Sequence, residues 1–514
     1  MCKKFKIRLN YKALFWTIFT VGAVVRILGL VANQSAGINQ DEAFAGYEAW
    51  SLLHYGVDSY GNAFPMYFVS WGSGMNVLNS YLMIPFVALF GLKEWVIRLP
   101  QLILAVLCLP VMYDFTRRIF GKNIGILSMF LLAISPWHIM LSAWGLESNL
   151  APGFLLIGAY FFLLGCEEKR WFLVLSAAFY GLSLYCYAIL WVAVPFIVLF
   201  EYIIALYIGK LKFCRQIWYS LAVLFVLALP CMLFLLVNSG TIPEIKTAFF
   251  TIPKLVKSRI NEVNAKLFLK RFFKAGGVII NQTDGHIFNA TEQFGMFYQI
   301  SLPFIIVGVY VAFRDGILSV IKKTNNKKWL IICQLLGCLP AIISIDANIN
   351  RINCLHIPLI ICIGLGIWQV GAWVNCKFKL TALAVYVASF ALFCTMYFGT
   401  YRNALAENFQ SGVGDALNYA MQSEKQICYS PDISYSKILF YSKTSPVDYK
   451  KSVKYMNFPS GFLIVESFDR YKRGYNLNEL SDNYVYVIPS DAKEVFEKAR
   501  FNIKSFGRYS VAFK

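Results

Sequence analysis

The sequence contains no internal repeat and no low-complexity segment, and its 13 cysteines show no paired spacing of the kind that ligates zinc or frames disulfides. The missing cysteine pattern leaves residues such as Cys108, Cys186, Cys231 and Cys394 as small apolar side chains inside hydrophobic runs. The basic N-terminus is followed by no small-x-small cleavage site, and its apolar run is long for a signal-peptide core, so a retained first helix is expected. One stretch, Val31 to Trp71, has no Lys or Arg at all. That absence matters because the chain is otherwise basic, with 48 Lys and Arg against 28 Asp and Glu and a net charge of +20. The cations sit in short clusters between apolar runs rather than on one face of a domain, which marks them as topology signals and excludes nucleic acid as the expected partner.

What is present is hydrophobic surface. The 514 residues are 58% hydrophobic and 17% aromatic, with a mean hydropathy of +0.56. Apolar segments at 14–32, 75–91, 97–116, 123–142, 149–166, 171–188, 191–208, 218–237, 297–313, 329–345, 355–374 and 379–399 have lengths suited to a hydrocarbon core about 30 Å thick. An α-helical polytopic membrane protein is expected. Basic clusters at 3–8, 116–122, 169–170, 209–215, 322–328 and 377–379 all fall on the cytoplasmic side only if 75–91 does not cross. Pro85 and the polar run "SWGSGMNVLNS" (70–80) fit a re-entrant or interfacial helix there. About eleven spans follow, with the N-terminus cytoplasmic and three regions outside: a first loop (33–96), a long loop (238–296) and a polar tail (400–514). The transmembrane unit then covers 1–399. In the long loop, 241–277 reads as a basic amphipathic helix pair lying on membrane lipid. The tail alternates strand-like runs, "GFLIVES" (461–467) and "NYVYVIP" (483–489), with the helical "SDAKEVFEKAR" (490–500), where Asp491 and Glu494 have capping-box spacing; a small α/β domain is expected.

Acidic residues collect at the outer face. "GINQDEAFAGYEAW" (37–50) carries Asp41 and Glu42 at the start of a helix whose Phe44, Tyr47 and Trp50 recur at helical spacing, and Glu147 lies in "SPWHIMLSAWGLESN" (135–149). Such carboxylates either cap helices in headgroup water or do chemistry, and no cation near the adjacent pair in sequence neutralises it. A carboxylate at this place can act as a general base towards an acceptor hydroxyl, and a pair can hold a divalent cation against a phosphate, so a metal is an option rather than a requirement. In "NQTDGHIFNATEQFG" (281–295), Asp284 and His286 can line the same cavity, although a lone His is also a common hydrogen-bonded loop residue. Arg351, the one cation of "DANINRINCLHIP" (346–358), is a phosphate-clamp candidate.

The run "DEAFAGYEAWSLLHYGVDSYG" (41–61), followed by "LFGLKEWVIRLPQ" (89–101) and the stretch ending at Asn149, resembles the polyprenyl-phosphate-sugar-dependent glycosyltransferases of family 39, the protein O-mannosyltransferase and lipid A aminoarabinose transferase relatives. The resemblance covers roughly residues 12 to 400 and implies a C-type glycosyltransferase fold. It further implies a polyprenyl-phosphate-linked sugar as donor, an acceptor outside the cytoplasm, Asp41 as base with Glu42 beside it, and Glu147 as the second external acidic position. Relatives carry a His-Pro-Pro or Glu-Lys-Pro element in the first loop where this chain has "FVSWGSGMN" (68–76), so a carboxylate ligand and a phosphate-binding lysine are missing. The competing class, a lipid or polysaccharide transporter, calls for repeated halves and ionisable groups at mid-membrane.

Overall fold

The computed structural model describes residues 10–258, 265–324 and 326–514. α1 (Tyr11–Asn33) begins where the Asn10 side chain accepts the Ala13 N–H. α2 (Gln40–Tyr55) and α3 (Leu78–Phe90) follow, separated by a ribbon of β1 (Tyr67–Phe68) and β2 (Met75–Asn76). Next come α4 (Leu99–Phe120), α5 (Lys122–Ile134), α6 (Pro136–Leu141), α7 (Ala151–Glu167), α8 (Phe172–Ser183), α9 (Leu190–Tyr207) and α10 (Arg215–Asn238). A second ribbon, β3 (Ile245–Lys246) and β4 (Thr251–Ile252), precedes α11 (Phe268–Asn281), and the helical unit closes with α12 (Leu302–Ile321), α13 (Trp329–Ser344), α14 (His356–Trp373) and α15 (Cys376–Tyr397).

Among the described residues, eight helices are long and apolar enough to cross a membrane: α1, α4, α7, α9, α10, α12, α14 and α15. α3, α5, α8 and α13 are apolar but have only 13, 13, 12 and 16 residues. At 1.5 Å per residue they reach roughly 18–24 Å, short of a core about 30 Å thick. The expected total of eleven therefore exceeds the eight that qualify on length alone. The apolar run at 123–142 is two helices, because Pro136 forces Ser135 out of helical geometry (ψ 122°) and opens α6. The run at 297–313 starts its α-helix only at Leu302, where Pro303 occupies the first turn.

Side chains such as Trp16, Leu107, Leu199, Phe225, Ile306 and Leu392 are exposed along these helices, a belt that only lipid can cover. α7 and α14 are the two most enclosed of the eight long helices. α12 and α14 meet backbone to backbone: a Cβ on Gly308 would collide with the Cys362 carbonyl, and one on Gly366 with that of Phe304.

α3 begins and returns at one end of the bundle. Asn79 in its first turn donates to Gly145 O (2.7 Å) and receives Gln101 Nε2 from the first turn of α4 (2.5 Å). Arg98, just past the loop that follows α3, reaches Glu42 of α2.

In the long loop, where a helix pair is expected over 241–277, the described residues form one α-helix and one ribbon; 259–264 lie outside the described residues. Pro243 and Pro253 flank the Thr- and Ile-rich segment that makes β3 and β4, and Thr247 Oγ1 accepts the Phe250 N–H to close its turn (2.9 Å). α11 is the amphipathic member, with Leu269, Phe272, Phe273 and Ile280 exposed.

The tail holds α16 (Tyr401–Asn408), α17 (Val413–Ala420), β5 (Gln426–Tyr429), α18 (Tyr435–Ser442), β6 (Lys454–Tyr455), β7 (Val465–Phe468), β8 (Tyr471–Arg473), β9 (Tyr484–Pro489), β10 (Asn502–Phe506) and β11 (Tyr509–Phe513) among its elements. The sheet order is β10-β11-β9-β5-β8-β7-β6, with β5 parallel to both its neighbours and the other pairs antiparallel. Lys493–Lys498 is helical, but the 491/494 capping box does not form, since a 3-10 turn at Ser490–Ala492 leads the chain in without a side-chain cap.

The tail docks on α2. Tyr47 Oη donates to Thr444 O (2.7 Å), Ser436 Oγ donates to Gln40 O (2.8 Å), and Phe440 packs where Gly46 leaves room.

Candidate active site

The adjacent acids divide their labour. Asn39 caps α2 by accepting the Asp41 N–H (2.9 Å), and Glu42 completes the capping box by accepting the Asn39 N–H (2.9 Å). Glu42 is fully buried and takes a two-pronged guanidinium from Arg98, Nε to Oε1 at 2.8 Å and Nη2 to Oε2 at 3.0 Å. Gly145 N–H adds a bond to Oε1 (2.6 Å). With four donors on two oxygens, Glu42 is saturated and holds α2, α4 and the 143–147 loop together.

Asp41 is half-buried, and among the described residues no cation pairs with it. Burial pushes its carboxyl up to about 6; the Trp71 side chain pulls it back and the Glu42 charge raises it further. Glu147 is its electrostatic neighbour across the site. A Glu147 oxygen accepts the Asn76 N–H, which fixes the end of β2 against the turn that leads into α7. Asp41 and Glu147, contributed by α2 and by the turn before α7, are thus electrostatic neighbours.

The "FVSWGSGMN" loop forms one wall. Trp71 has φ 48°, a left-handed conformation that is uncommon for a bulky residue, and Gly72 (φ 94°) and Gly74 (φ 97°) continue the turn. Leu463 N–H from the tail donates to Trp71 O (2.7 Å), and a Cβ on Gly72 would strike Ser460 O, so the tail's close approach requires glycine there. The Tyr435 ring meets Trp71 edge-on at 4.8 Å, and the Asp41 charge is among the influences that raise the Tyr435 hydroxyl, after burial. Ser70 Oγ, both amide atoms of Asn76 and the Tyr435 hydroxyl are buried without a partner in hydrogen-bonding geometry. From the long loop, Lys257 N–H donates to Gly72 O (3.0 Å), placing a lysine backbone against this wall.

The remaining sequence candidates lie in the loops before α12 and α14, and the second of these reaches the Glu147 turn, where Asn353 Nδ2 donates to Ser148 O (2.7 Å). Asp284 accepts from His286 N–H (3.0 Å), Asn289 Nδ2 (3.0 Å) and Ile349 N–H (2.9 Å), which ties two loops together. His286 is 54% exposed and lies 3.4 Å from the Asp284 carboxylate. Arg351 Nη1 donates to Asp346 O (3.0 Å), beside Lys274 and Arg271 of α11, which also address Asp346. Among the described residues, no hydrogen bond or ion pair joins Asp284, His286 or Arg351 to Asp41, and no three His, Cys, Asp or Glu gather in a way that could hold a metal ion. Sequence reasoning missed Arg98, Trp71, Asn76 and Tyr435. The glycine-flanked Trp of "SWGSG" was the available signal for one of them.

Residues 76–234 match the family model described as dolichyl-phosphate-mannose-protein mannosyltransferase. The chain is similar to the crystal structure of ArnT from Cupriavidus metallidurans in the apo state, with 13% identity, a TM-score of 0.54 and coverage of 98% of both chains. The fold is that of the C-type glycosyltransferases. ArnT bound to undecaprenyl phosphate gives a TM-score of 0.54 at 13% identity over 97% of each chain. The Archaeoglobus fulgidus oligosaccharyltransferase in the apo form gives 0.50 at 13% identity, over 86% of this chain and 65% of that one. No curated protein sequence matches the chain. Eight helices long and apolar enough to cross a membrane and a small C-terminal sheet domain accompany this fold, and the chain is an integral multi-pass membrane protein.

Proposed function

We propose that the protein is a membrane glycosyltransferase that moves one sugar from a polyprenyl-phosphate carrier to an acceptor outside the cytoplasm, with Asp41 as the base. The observation that supports this reading is the unequal fate of the acidic pair: Glu42 is saturated by Arg98, Asn39 and Gly145, whereas Asp41 has no cation partner among the described residues. A carboxyl raised to about 6 is a stronger base than an ordinary aspartate and is still ionised at neutral pH. It would take the acceptor's proton as the acceptor oxygen bonds to the anomeric carbon, and the C–O bond to the carrier phosphate breaks with its electrons leaving on that phosphate. Ser70, Asn76 and Tyr435 offer the hydrogen bonds that sugar hydroxyls need. The family match at 76–234 and the likeness to an ArnT structure that binds undecaprenyl phosphate support the donor class. The transporter alternative is not favoured.

Charge on the leaving phosphate is met by Arg351 or by the basics of the long loop, such as Lys257. Asp41 and Glu147 are two carboxylates, fewer oxygen ligands than a dedicated divalent site uses. Arg351→Lys is therefore expected to weaken donor binding, because lysine loses the planar fork. Activity lost in chelator with an indifferent Arg351→Lys variant would overturn that assignment.

In the membrane, α5, α8 and α13, short helices that pack against the longer α4, α7 and α9, complete eleven crossings with the turns at their ends, α3 does not cross, and the site and tail lie outside. The two ends of the 78–98 segment, both anchored near Glu42, support this topology. The test of function is incubation of purified protein with labelled polyprenyl-phosphate sugars: consumption of one of them with release of polyprenyl phosphate is expected, and failure to consume any in the presence of acceptor extract would refute it.

A further inference from the structure

A cleft lies at the opposite end of the bundle from Asp41. It has a volume of about 660 Å³ and opens between the start of α1, the second half of α4 and the start of α5. α1 and α4 run antiparallel, since Arg98 before α4 reaches Asn33 O at the end of α1 (3.2 Å), so the Tyr11 and Arg117 ends are the far ends of both helices. The mouth is basic. Lys12, Arg117 and Lys122 line it, against a single carboxylate, Asp114.

That carboxylate is already occupied. Arg117 donates to one oxygen through Nε (2.9 Å) and Nη2, Arg118 Nε (2.6 Å) donates to the other, and the Tyr160 hydroxyl adds a fourth bond (2.9 Å). Lys12 and Lys122 are exposed, and among the described residues neither meets a carboxylate. Lys122 instead lies 5.8 Å from the Tyr11 ring and Arg117 5.7 Å from that of Tyr113. The lining thus keeps an excess of two positive charges. Deeper in, the walls turn apolar with Phe15, Pro110 and Val111, and the neighbouring Trp16 and Leu107 face lipid.

A cleft with a cationic mouth, a phenol-lined rim and an apolar flank that continues into the lipid-facing surface matches an amphiphile whose polar end is a phosphate. We propose that this cleft binds the headgroup of an anionic phospholipid, its phosphate between Lys12, Arg117 and Lys122 and its acyl chains along Phe15 and Val111. Basic pockets between membrane helices take anionic headgroups by this combination of charge and apolar contact. The site is distinct from the proposed sugar-transfer centre and does not depend on it.

The probe is native mass spectrometry of the purified full chain, delipidated and then incubated with dioleoyl phosphatidylglycerol, cardiolipin or dioleoyl phosphatidylcholine. Retention of the anionic lipids over phosphatidylcholine is expected. Lys12→Ala/Lys122→Ala should weaken that retention about 30-fold, as two lysines near an anionic surface contribute jointly, while Lys12→Arg/Lys122→Arg keeps it. Both lysines are exposed, so folding is not at stake, and Lys472→Ala/Lys498→Ala, two exposed tail cations, controls for net charge. Equal retention of phosphatidylcholine, or an unchanged Lys12→Ala/Lys122→Ala variant, would overturn the proposal. Displacement of the lipid by millimolar inorganic phosphate alone would also overturn it, by identifying a free-phosphate site.

Discussion

The Glu42–Arg98 pair predicts a specific pattern of damage. Both side chains are 0% exposed and the pair closes at 2.8 Å, so removing one partner strands the other's charge in a dry site. Breaking such a pair costs about 3–5 kcal/mol. Arg98→Met loses the ion pair and the donors to Asn33 O and Gly37 O, and Glu42→Gln leaves the guanidinium unbalanced while keeping an acceptor for Gly145 N–H. With an unfolding entropy of about 2.1 cal/mol/K per residue, a chain of 514 residues melting as one unit shifts by roughly 1 °C per kcal/mol, so each variant should melt about 3–5 °C lower. The assay is thermal unfolding in detergent followed by size-exclusion chromatography. Glu42→Gln/Arg98→Met should recover part of the loss, because no lone charge remains. At a temperature where it is folded, Glu42→Gln should retain transfer to within about tenfold of the parent. Melting points equal to the parent for both single variants would refute the structural role given to this pair.

Asp41 with a value near 6 is protonated below that pH and ionised above it, so kcat/KM should rise as pH passes through 6 and level off by neutrality; a profile flat from pH 5 to 7 would remove it as the base. Tyr435→Phe deletes a buried hydroxyl with no partner in close hydrogen-bonding geometry, so the melting point should hold while KM for donor or acceptor rises, by roughly tenfold for one lost hydrogen bond. Gly308→Leu should abolish the folded protein, since no shift of a flexible side chain can clear the Cys362 carbonyl; a well-folded variant would contradict the close α12–α14 packing.

Much of the helical plan was legible because Pro, Gly and basic residues mark the ends of the apolar runs, as at Pro100, Gly121 and Lys122. The break at Ser135–Pro136 was missed since both sides of it are equally apolar. The site was legible only in part. Local sequence shows Asp41 and Glu42 as equals, and their difference comes from Arg98, 56 positions later, and Gly145, 103 positions later. Tyr435 was invisible for the same reason, as its place beside Trp71 is decided by how the tail docks on α2. Asp284 carried a polar signature in the sequence, but the three bonds by which it ties two loops together were not legible there, since Ile349 lies 65 positions away.

The central claim rests on Asp41, and its most direct test is single-turnover sugar transfer by Asp41→Asn beside a measurement of donor binding by the same protein. Asparagine keeps the shape and removes the basicity, so transfer should fall by about a hundred- to ten-thousandfold while donor binding stays within a few-fold of the parent. Near-normal transfer by that variant would contradict the account and leave Asp41 as a helix-terminal residue without a part in the chemistry.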